Sequence, residues 1–184
     1  MSDDALRSRR QRWLGHLGTV VLMLVVFFGV QAWQTRAVPK ALDPMLLDLP
    51  LPMLRPGQAP STSTLRTELA ALQQQHPGQN VALYVWAEWC PICKTTQGTV
   101  QAMGADQAVL TVAMLSGGPE AVARYQQAQG LAWHTVVDPR SELAKVLGFA
   151  AVPGFAVITP EGDLRWPTVG WTSAWGMRWR LWWA

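Results

Sequence analysis

Short apolar runs alternate along this chain with longer segments in which apolar residues recur at helical spacing. The runs end at turn residues such as Ser116-Gly117-Gly118 and Glu161-Gly162-Asp163, which are typical of strand ends. We predict strands over residues 80–86, 108–115, 134–137, 155–159 and 164–169. The predicted helices cover residues 61–76, 90–103, 119–129, 141–147 and 172–184. Strands and helices in this order, closed by a hairpin and a helix, predict an α/β sandwich with a mixed sheet.

The apolar run near the N-terminus is far longer than the others. Residues 13–33 are almost entirely apolar, and at about 1.5 Å per residue they would form a helix roughly 30 Å long, the thickness of a bilayer core. Tryptophans at both ends of the run suit the two membrane interfaces. We predict a transmembrane anchor over 13–33, preceded by a basic cytoplasmic tail over 1–12. The alternative is a cleaved signal peptide, because residues 30–32 place small side chains where a peptidase could cut.

The segment after the anchor is rich in proline. We expect a Pro-rich spacer over residues 34–60, with one edge strand near 45–49. A long helix is excluded there by Pro39, Pro44, Pro50, Pro52, Pro56 and Pro60. The remaining residues, 61–184, are enough for one compact domain with a buried core.

The formal net charge of +3 is concentrated at the N-terminus. Arginines precede the anchor, whereas the basic and acidic side chains after it nearly balance. Positive charge before a membrane segment favours a cytoplasmic tail and an exported remainder. A nearly neutral domain offers no basic surface for nucleic acid, so we expect no nucleic-acid partner.

Both cysteines of the chain lie in one motif, Trp89-Cys90-Pro91-Ile92-Cys93. The motif follows the apolar run 80–86 and precedes a segment with helical potential, so a strand would deliver Cys90 to the first turn of a helix. Backbone N–H groups in that turn lack partners within the helix and the helix dipole is positive there, so a thiolate is favoured over a thiol. The spacing also allows a disulfide across one turn. We interpret the pair as a site of thiol–disulfide exchange that needs no cofactor besides the Cys90–Cys93 disulfide.

The motif resembles that of thioredoxin-fold proteins. Residues 86–93 (Trp-x-x-Trp-Cys-Pro-x-Cys), the later Val152-Pro153 dipeptide and residues 168–176 are similar to the membrane-tethered, exported disulfide oxidoreductases related to TlpA, of the suppressor of copper sensitivity protein D type. The resemblance implies a thioredoxin-like fold, in which helices flank a central mixed sheet, after an N-terminal transmembrane helix. It also implies a single-pass protein of the bacterial inner membrane, with the catalytic domain on the periplasmic side.

The resemblance also implies roles for residues in and around the motif. Cys90 would be the exposed attacking thiol, and Cys93 the resolving thiol. Val152–Pro153 would be a cis peptide bond that lies against the disulfide and leaves the Val152 backbone free to pair with a substrate strand; cis bonds occur essentially only before proline. The residues expected to support the active site are Trp89, Pro91, Ile92, Val152 and Pro153.

The implied reaction is the reduction or isomerisation of disulfides in exported proteins. In an oxidising compartment a cysteine pair can be a working disulfide, but a reductase there needs a source of electrons. The partners implied are client proteins with disulfides and a membrane reductant of the DsbD type, which delivers reducing equivalents from the cytoplasm. The likeness to copper-sensitivity proteins implies a role in copper or oxidative stress tolerance.

The chain departs from the family pattern at two positions. Many thioredoxins carry a buried acid six residues before the first cysteine, where this chain has Tyr84. Some TlpA-like reductases carry a glutamate three residues after the second cysteine, where this chain has Thr96. Glu88, the nearest acid in the sequence, is interpreted as a solvated loop residue. The sequence therefore leaves open which group accepts the proton of Cys93.

Two other functions remain as alternatives. The thioreductases of cytochrome c maturation also use Trp-Cys-Pro-x-Cys, but they typically have a Gly-Val-x-Gly-x-Pro-Glu pattern, whose second glycine and glutamate are missing from residues 148–154. A Cu(I)-binding module is the second alternative, because two thiolates can hold Cu(I). A structural zinc site needs four ligands, and the sequence has no second cysteine pair. The histidines are scattered along the sequence, so we expect no metal site.

Tryptophan is unusually frequent, with eleven residues in the chain. Four of them recur at nearly helical spacing over residues 175–183, and we interpret them as a stripe that packs on the sheet. The alternative is an interfacial face that rests on the same membrane as the anchor. Trp86 and Trp89 lie next to the cysteines, so we expect them to shield the disulfide from water and to offer substrate an apolar contact.

Overall fold

The structure is a computed structural model that describes residues 3–184. The chain divides into two units, Met1–Gln34 and Thr35–Ala184. Helix α1 (Asp3–Thr35) makes up the described part of the first unit and ends at the first residue of the second. Among the described residues, the segment His16–Thr35 of this helix is the one stretch long and apolar enough to cross a membrane. The first two residues of the predicted basic tail lie outside the described residues.

Within residues 35–184 the structure forms a seven-stranded sheet. Its strands are β1 (Leu51–Leu54), β2 (Ser61–Ser63), β3 (Val81–Trp86), β4 (Ala108–Met114), β5 (His134–Asp138), β6 (Gly154–Ile158) and β7 (Leu164–Val169). They lie in the order β2-β1-β5-β4-β3-β6-β7. Strands β3, β4 and β5 are parallel, whereas β6 is antiparallel to β3 and pairs with β7 as a hairpin. The predicted mixed sheet and the predicted hairpin are confirmed.

Helices cover both faces of this sheet. One face packs against α2 (Pro44–Leu47), α3 (Leu65–Gln75) and α6 (Glu142–Val146), and the other against α4 (Pro91–Met103), α5 (Pro119–Gln129) and α7 (Ala174–Trp183). Every residue of β3 and β4 is buried. A strand covered on both faces reads as a nearly continuous apolar run, which is why the sequence marks these two strands so clearly.

Part of the expected spacer contributes to the fold of the second unit. The edge strand predicted near residues 45–49 is wrong, because Asp43 caps helix α2 there and accepts the backbone N–H of Met45 at 2.8 Å. The strand lies further on, as β1, and pairs with both β2 and β5. The helix predicted from residue 61 begins later, since 61–63 form β2 and Thr64 caps α3. Which residues form strands in this region depends on pairing with strands far away in sequence, and a local pattern does not indicate such pairing.

The last helix buries different side chains from those expected. In α7, Met177 and Leu181 face the core and are almost fully buried. Trp175 and Trp182 are 74% and 80% exposed, so the prediction of a tryptophan stripe packed on the sheet is wrong. Residues four apart share one face of a helix, and here Met177 and Leu181 occupy the inner face, which leaves the tryptophans on the other faces.

Candidate active site

Cys90 and Cys93 lie where β3 ends and α4 begins. The turn between these elements is closed by a hydrogen bond from the Cys90 N–H to Ala87 O, at 3.2 Å. Cys90 is the N-cap residue of α4, and Pro91 occupies the start of the helix, where a missing N–H leaves no bond unmade. The N–H of Cys93 donates to Cys90 Sγ at 3.3 Å. The predicted placement of the motif at a strand-to-helix junction is therefore confirmed.

The two cysteines differ in their access to solvent. Cys90 is 5% exposed and Cys93 is completely buried, and both are free thiols. The expectation of an exposed Cys90 is therefore wrong in extent, since only a small part of its surface is accessible. One reason is the main chain of Val152, whose carbonyl oxygen lies 3.8 Å from Cys90 Sγ. Cys90 is nevertheless the more accessible thiol of the pair.

The Val152–Pro153 peptide bond is cis, as expected, and lies against Cys90. Pro153 is buried, and its carbonyl oxygen accepts the N–H of Gly170 at 2.8 Å. Val152 is half-buried. The structure thus brings together the two separate stretches of sequence that the resemblance assigned to one site.

Exposed apolar side chains lie next to Cys90. Trp89 and Ile92 are about half exposed, and Pro91 is exposed as well. The indole Nε1 of Trp89 donates to Leu115 O at 3.0 Å. Leu115 is exposed and has a φ of 51°, a left-handed conformation that leucine rarely adopts and that often marks functional sites. Leu115 was not among the site residues predicted from the sequence. The only signal for it was its position at the end of an apolar run.

A second hydrogen bond joins the loop after β4 to the loop before Cys90. Ser116 Oγ accepts the N–H of Glu88 at 3.0 Å and donates to Met114 O at 3.0 Å. Glu88 is partly exposed. Together with the indole of Trp89, this bond holds the approach to Cys90 in place.

Trp86 belongs to the core. It is completely buried, and its Nε1 donates to Thr111 Oγ1 at 3.2 Å. Its ring packs near Tyr125 and Trp133, at centroid distances of 5.6 and 5.4 Å. The expectation that Trp86 contacts substrate is therefore wrong, because it lies on β3, an interior strand between β4 and β6, and is buried there.

Tyr84 and Thr96, the two positions that depart from the family pattern, contact each other beside Cys93. The Tyr84 hydroxyl lies 2.7 Å from Thr96 Oγ1 and 3.4 Å from the carbonyl oxygen of Cys93. Thr96 Oγ1 also donates to Cys93 O at 3.0 Å. A neutral hydroxyl pair thus occupies the two positions at which the resemblance led us to look for an acid. The sequence pointed to both positions but not to their contact, which needs β3 and α4 to pack together.

The surroundings of Cys93 keep its thiol protonated. Burial is the main cause and, together with the hydrogen bond to Cys90, it raises the pKa of Cys93 to about 12. A backbone hydrogen bond with Ala87 and the hydroxyl of Tyr84 act in the opposite direction and lower that pKa. Burial also raises the pKa of Tyr84 far above its usual range, so this phenol stays neutral. Tyr84 can therefore donate a hydrogen bond to a Cys93 thiolate but cannot act as a base.

The cysteine pair supplies two sulfur ligands for a metal ion. Across the part of the chain that the structure describes, no three His, Cys, Asp or Glu side chains come close enough to hold a metal ion. His134 lies elsewhere, with Nδ1 at 3.4 Å from Glu68 Oε2. A Cu(I) site at this position would rest on the two thiolates.

Comparison with known proteins shows the family. The AhpC/TSA family model matches residues 57–167, more than half of the chain, and the chain therefore belongs to the AhpC/TSA family. A thioredoxin-like protein of Haemophilus influenzae is 30% identical over 114 residues, which cover 61% of this chain and 66% of that protein, just under two thirds of its length. A probable thiol:disulfide interchange protein DsbE-2 of Pasteurella multocida is 26% identical over 162 residues, 86% of this chain and 81% of that protein.

Solved structures share the fold. The crystal structure of a putative thiol:disulfide interchange protein DsbE from Chlorobium tepidum has a TM-score of 0.55 and 18% identity, and the match covers 74% of this chain and 89% of that chain. At this identity the likeness concerns the fold alone, and it confirms the predicted thioredoxin-like architecture. The fold, the family and the paired cysteines define the chain as a thioredoxin-like protein with two thiols at the start of a helix.

Proposed function

We propose that this protein is a membrane-tethered oxidoreductase that reduces or isomerises disulfides in exported proteins, with Cys90 as the attacking thiol and Cys93 as the resolving thiol. The observation that carries the proposal is the asymmetry of the pair. Cys90 Sγ is the accessible sulfur and accepts the N–H of Cys93, whereas Cys93 is completely buried. An N–H donor at a helix start stabilises negative charge on sulfur. A client disulfide can therefore reach Cys90 first.

The reaction proceeds in two exchange steps. The Cys90 thiolate attacks one sulfur of the client disulfide, so that a Cys90–client disulfide forms and the other client sulfur leaves as a thiolate, which takes up a proton. Cys93 then loses its proton and attacks Cys90 Sγ. This step closes the Cys90–Cys93 disulfide and releases the second client thiol. The client gains two electrons and two protons, and the cysteine pair loses the same two electrons as it is oxidised to the disulfide.

The surface next to Cys90 suits an extended client segment. Val152 lies against Cys90, and its backbone would pair with the client strand beside the reacting sulfur. Trp89, Ile92 and Leu115 are exposed and would contact the apolar side chains that flank the client cysteine. Pro91 and Pro153 complete the set of supporting residues in this proposal.

The tether, the reductant and the biological role are parts of the same proposal. The apolar helix over His16–Thr35 supports anchoring in the bacterial inner membrane, with the second unit in the periplasm. A DsbD-type membrane reductant would reopen the Cys90–Cys93 disulfide after each cycle. Copper or oxidative stress tolerance follows only from the resemblance in the sequence. It is tested by comparing the growth of wild-type and Cys90→Ser strains in copper.

Trapping the mixed disulfide tests the proposal. The full chain carrying Cys93→Ala is expressed in its native membrane, and proteins bound to Cys90 are isolated under non-reducing conditions and identified. We expect disulfide-bearing exported proteins and a DsbD-type reductant. The matched control, Cys90→Ala with Cys93 intact, should retain at least about tenfold less of these partners, since the buried thiol is out of their reach.

Other outcomes would contradict parts of the proposal. Adducts with only a quinone-linked oxidase would reverse the direction of electron flow. Adducts with only apocytochrome c would favour the cytochrome c maturation alternative. A complete absence of adducts, together with a tight and redox-silent Cu(I) complex, would favour a metal-binding module and overturn the assignment of Cys90.

A further inference from the structure

Five tryptophans form one continuous exposed surface on the second unit. This aromatic surface consists of Trp166 on β7 and Trp175, Trp179, Trp182 and Trp183 on α7. Neighbouring ring centroids within it lie 5.7–6.4 Å apart. The side chains are between 40% and 80% exposed. The rings contact one another and leave much of their area open to solvent.

The aromatic surface is at the upper end of the size range of apolar patches on monomeric proteins. A tryptophan side chain has on the order of 200 Å² of surface, so five rings at these exposures present roughly 600 Å². The largest apolar patch on a typical monomer is about 300–600 Å² and is often functional. Single exposed tryptophans need no explanation, but a contiguous patch of this size indicates a partner.

The backbone of Trp166 is held in an unusual conformation to place its ring on this surface. Its φ is 52°, in the left-handed region, and the pairing of β6 with β7 shifts register between Phe155 and Val157. An extra residue in one strand bends the strand and redirects its side chains. The indole Nε1 of Trp166 donates to Trp183 O at 3.4 Å, which joins β7 to the end of α7. A strained non-glycine residue at an exposed patch is typical of a functional surface.

The ion pairs on these elements leave no unpaired carboxylate at Asp106 or Asp163 to oppose contact with a lipid surface. Asp106 accepts from Arg178 of α7 at 2.7 Å, and Asp163 is 3.2 Å from Arg165 of β7. Each of these carboxylates is thus neutralised by an arginine. Indole rings have an apolar body and one N–H donor, a combination that favours the interfacial layer of a bilayer.

The chain enters the second unit beside the aromatic surface. Ala37 packs closely on Gly148. A Cβ added to residue 148 would lie only 2.4 Å from the carbonyl carbon of Ala37. Lys40 O then accepts the N–H of Leu164 at 2.8 Å. Lys40, Leu164 and Trp166 line the same surface cavity, of about 320 Å³. The first residues after α1 are therefore fixed next to one member of the aromatic surface.

Chain length limits how far this entry point can be from a membrane that holds α1. Helix α1 ends at Thr35, only two residues before Ala37. A chain spans at most about 3.6 Å per residue, so Ala37 lies within about 7 Å of Thr35, and Lys40 within about 18 Å. An anchored α1 thus limits Lys40, which lines the same cavity as Trp166, to about 18 Å from the point where α1 ends.

We infer that the aromatic surface lies in the interfacial layer of the bilayer in which α1 is anchored. The inference rests on the proposed membrane tether. Leu181 O accepts from Asn80 Nδ2 at 2.8 Å, so the end of α7 lies where β3 is about to begin, whereas Cys90 follows the other end of β3. Contact through the end of α7, which carries Trp182 and Trp183, would leave Cys90 accessible to clients in the aqueous compartment.

Lipid photolabelling tests the inference on the full chain. The protein is reconstituted in phosphatidylcholine vesicles that contain a few per cent of a phosphatidylcholine with a diazirine in its acyl chain, and the labelled peptides are identified by mass spectrometry. We expect label in α1 and in the peptides that carry the aromatic surface. Trp171 provides an internal reference, because it is 64% exposed but lies outside the surface.

Matched variants sharpen the test. Trp182→Ser with Trp183→Ser should lower lipid labelling of the remaining aromatic surface about tenfold, because much of its apolar area is removed. Trp171→Ser should leave that labelling unchanged. These side chains are exposed, so each variant should keep the thermal unfolding midpoint of the wild type, which is measured alongside.

The possible outcomes separate the inference from the tether. Label in α1, with the aromatic surface labelled no more than the Trp171 peptide, would overturn the inference and leave the tether intact. Label in the aromatic surface without label in α1 would show that the surface binds lipid, but it would overturn the tether and with it the inference that α1 shares the same bilayer. Photolabelling of neither would overturn both. Cross-links between the aromatic surfaces of two chains, in place of lipid label, would indicate self-association and overturn the inference.

Discussion

Replacing Tyr84 by phenylalanine removes a single hydroxyl from the surroundings of Cys93. That hydroxyl lies 2.7 Å from Thr96 Oγ1, and it lowers the pKa of the Cys93 thiol. Thr96 Oγ1 keeps a partner in the variant, because it still donates to Cys93 O at 3.0 Å. No buried polar atom is orphaned, so the free energy of unfolding should fall by only about 1 kcal/mol.

The effect on the resolving step should be larger than the effect on stability. A hydrogen bond to a charged group is worth about 1.5–3 kcal/mol, so the Tyr84→Phe variant should hold roughly 10- to 100-fold less Cys93 thiolate at a given pH. A less acidic thiol is a stronger nucleophile, with a Brønsted coefficient of about 0.4–0.5, which offsets about half of this loss on a logarithmic scale. We expect the resolving step to slow by roughly 3- to 10-fold.

Stopped-flow absorbance with a chromogenic aromatic disulfide separates the two steps. Attack by Cys90 releases the first coloured thiolate, and attack by Cys93 on the mixed disulfide releases the second. The Tyr84→Phe variant should keep the first rate and slow the second. On a logarithmic scale, both proteins should show a second rate that rises with pH up to about pH 10 along parallel, displaced lines, because burial, the main cause that raises the pKa of Cys93, also acts in the mixed disulfide.

Tyr125→Phe is the matched control for this experiment. It removes the same atom from a tyrosine whose hydroxyl bonds to Gln97 at 2.9 Å and whose ring packs near Trp86. We expect it to leave both rates within about twofold of the wild type. The reasoning is refuted if Tyr84→Phe slows both steps equally, or if the two variants have the same effect on the second step.

Three further predictions concern the titration of Cys93, the buried ion pair of Glu68 and the close packing of Gly154. The pKa of Cys93 rises from 9.0 to about 12 on folding, so the reduced folded protein keeps a proton that the unfolded chain releases. Its free energy of unfolding in urea should therefore fall above pH 9, by up to about 1.4 kcal/mol per pH unit, relative to the oxidised protein. Glu68→Gln should cost about 3 kcal/mol of unfolding free energy in urea, because Glu68 is fully buried and pairs with Arg55. Gly154→Ala should cost about 1–3 kcal/mol in the same assay, since a Cβ would lie 2.5 Å from Phe149 Cδ1.

Each of these predictions has a control within the chain. Cys93→Ser should abolish the additional loss of stability above pH 9 in the reduced state. Glu142→Gln breaks an exposed ion pair with Arg140 and should cost less than about 1 kcal/mol. Gly98→Ala fills open space on α4 and should be neutral or stabilising by up to about 1 kcal/mol. If a variant and its control changed the free energy of unfolding equally, burial or close packing would not be the cause of the change.

Local pattern was sufficient for most of the elements of the second unit. The apolar runs that became β3 and β4 were recognisable because both faces of these strands are covered. Pro119 marked the start of α5, since proline suits the first turn of a helix. The cysteine motif was placed at the start of α4 for the same kind of reason. These signals depend on residues that are neighbours along the chain.

The same patterns failed where burial depends on partners far away in sequence. The tryptophans of α7 have helical spacing, but spacing alone does not say which face of the helix meets the sheet. Met177 and Leu181 occupy that face, and the rings remain outside. Trp86 looked like a site residue because it precedes the cysteines, and it proved to be a core residue because β3 is an interior strand covered on both faces. Leu115 and β1 were missed, since each has its role through a distant contact.

The sequence alone determined the chemistry of this protein: two cysteines at the spacing of a redox pair, a strand before them, a helix after them, and a long apolar segment at the N-terminus. Those properties are local, because they follow from residue type and spacing. The resemblance implied that Cys90 is the accessible thiol and that Val152 lies against it, but only the tertiary structure showed how little of Cys90 is exposed and that Tyr84 meets Thr96 beside Cys93. The physical reason is that packing brings together strands and helices many residues apart, and the surroundings of the two thiols depend on those contacts.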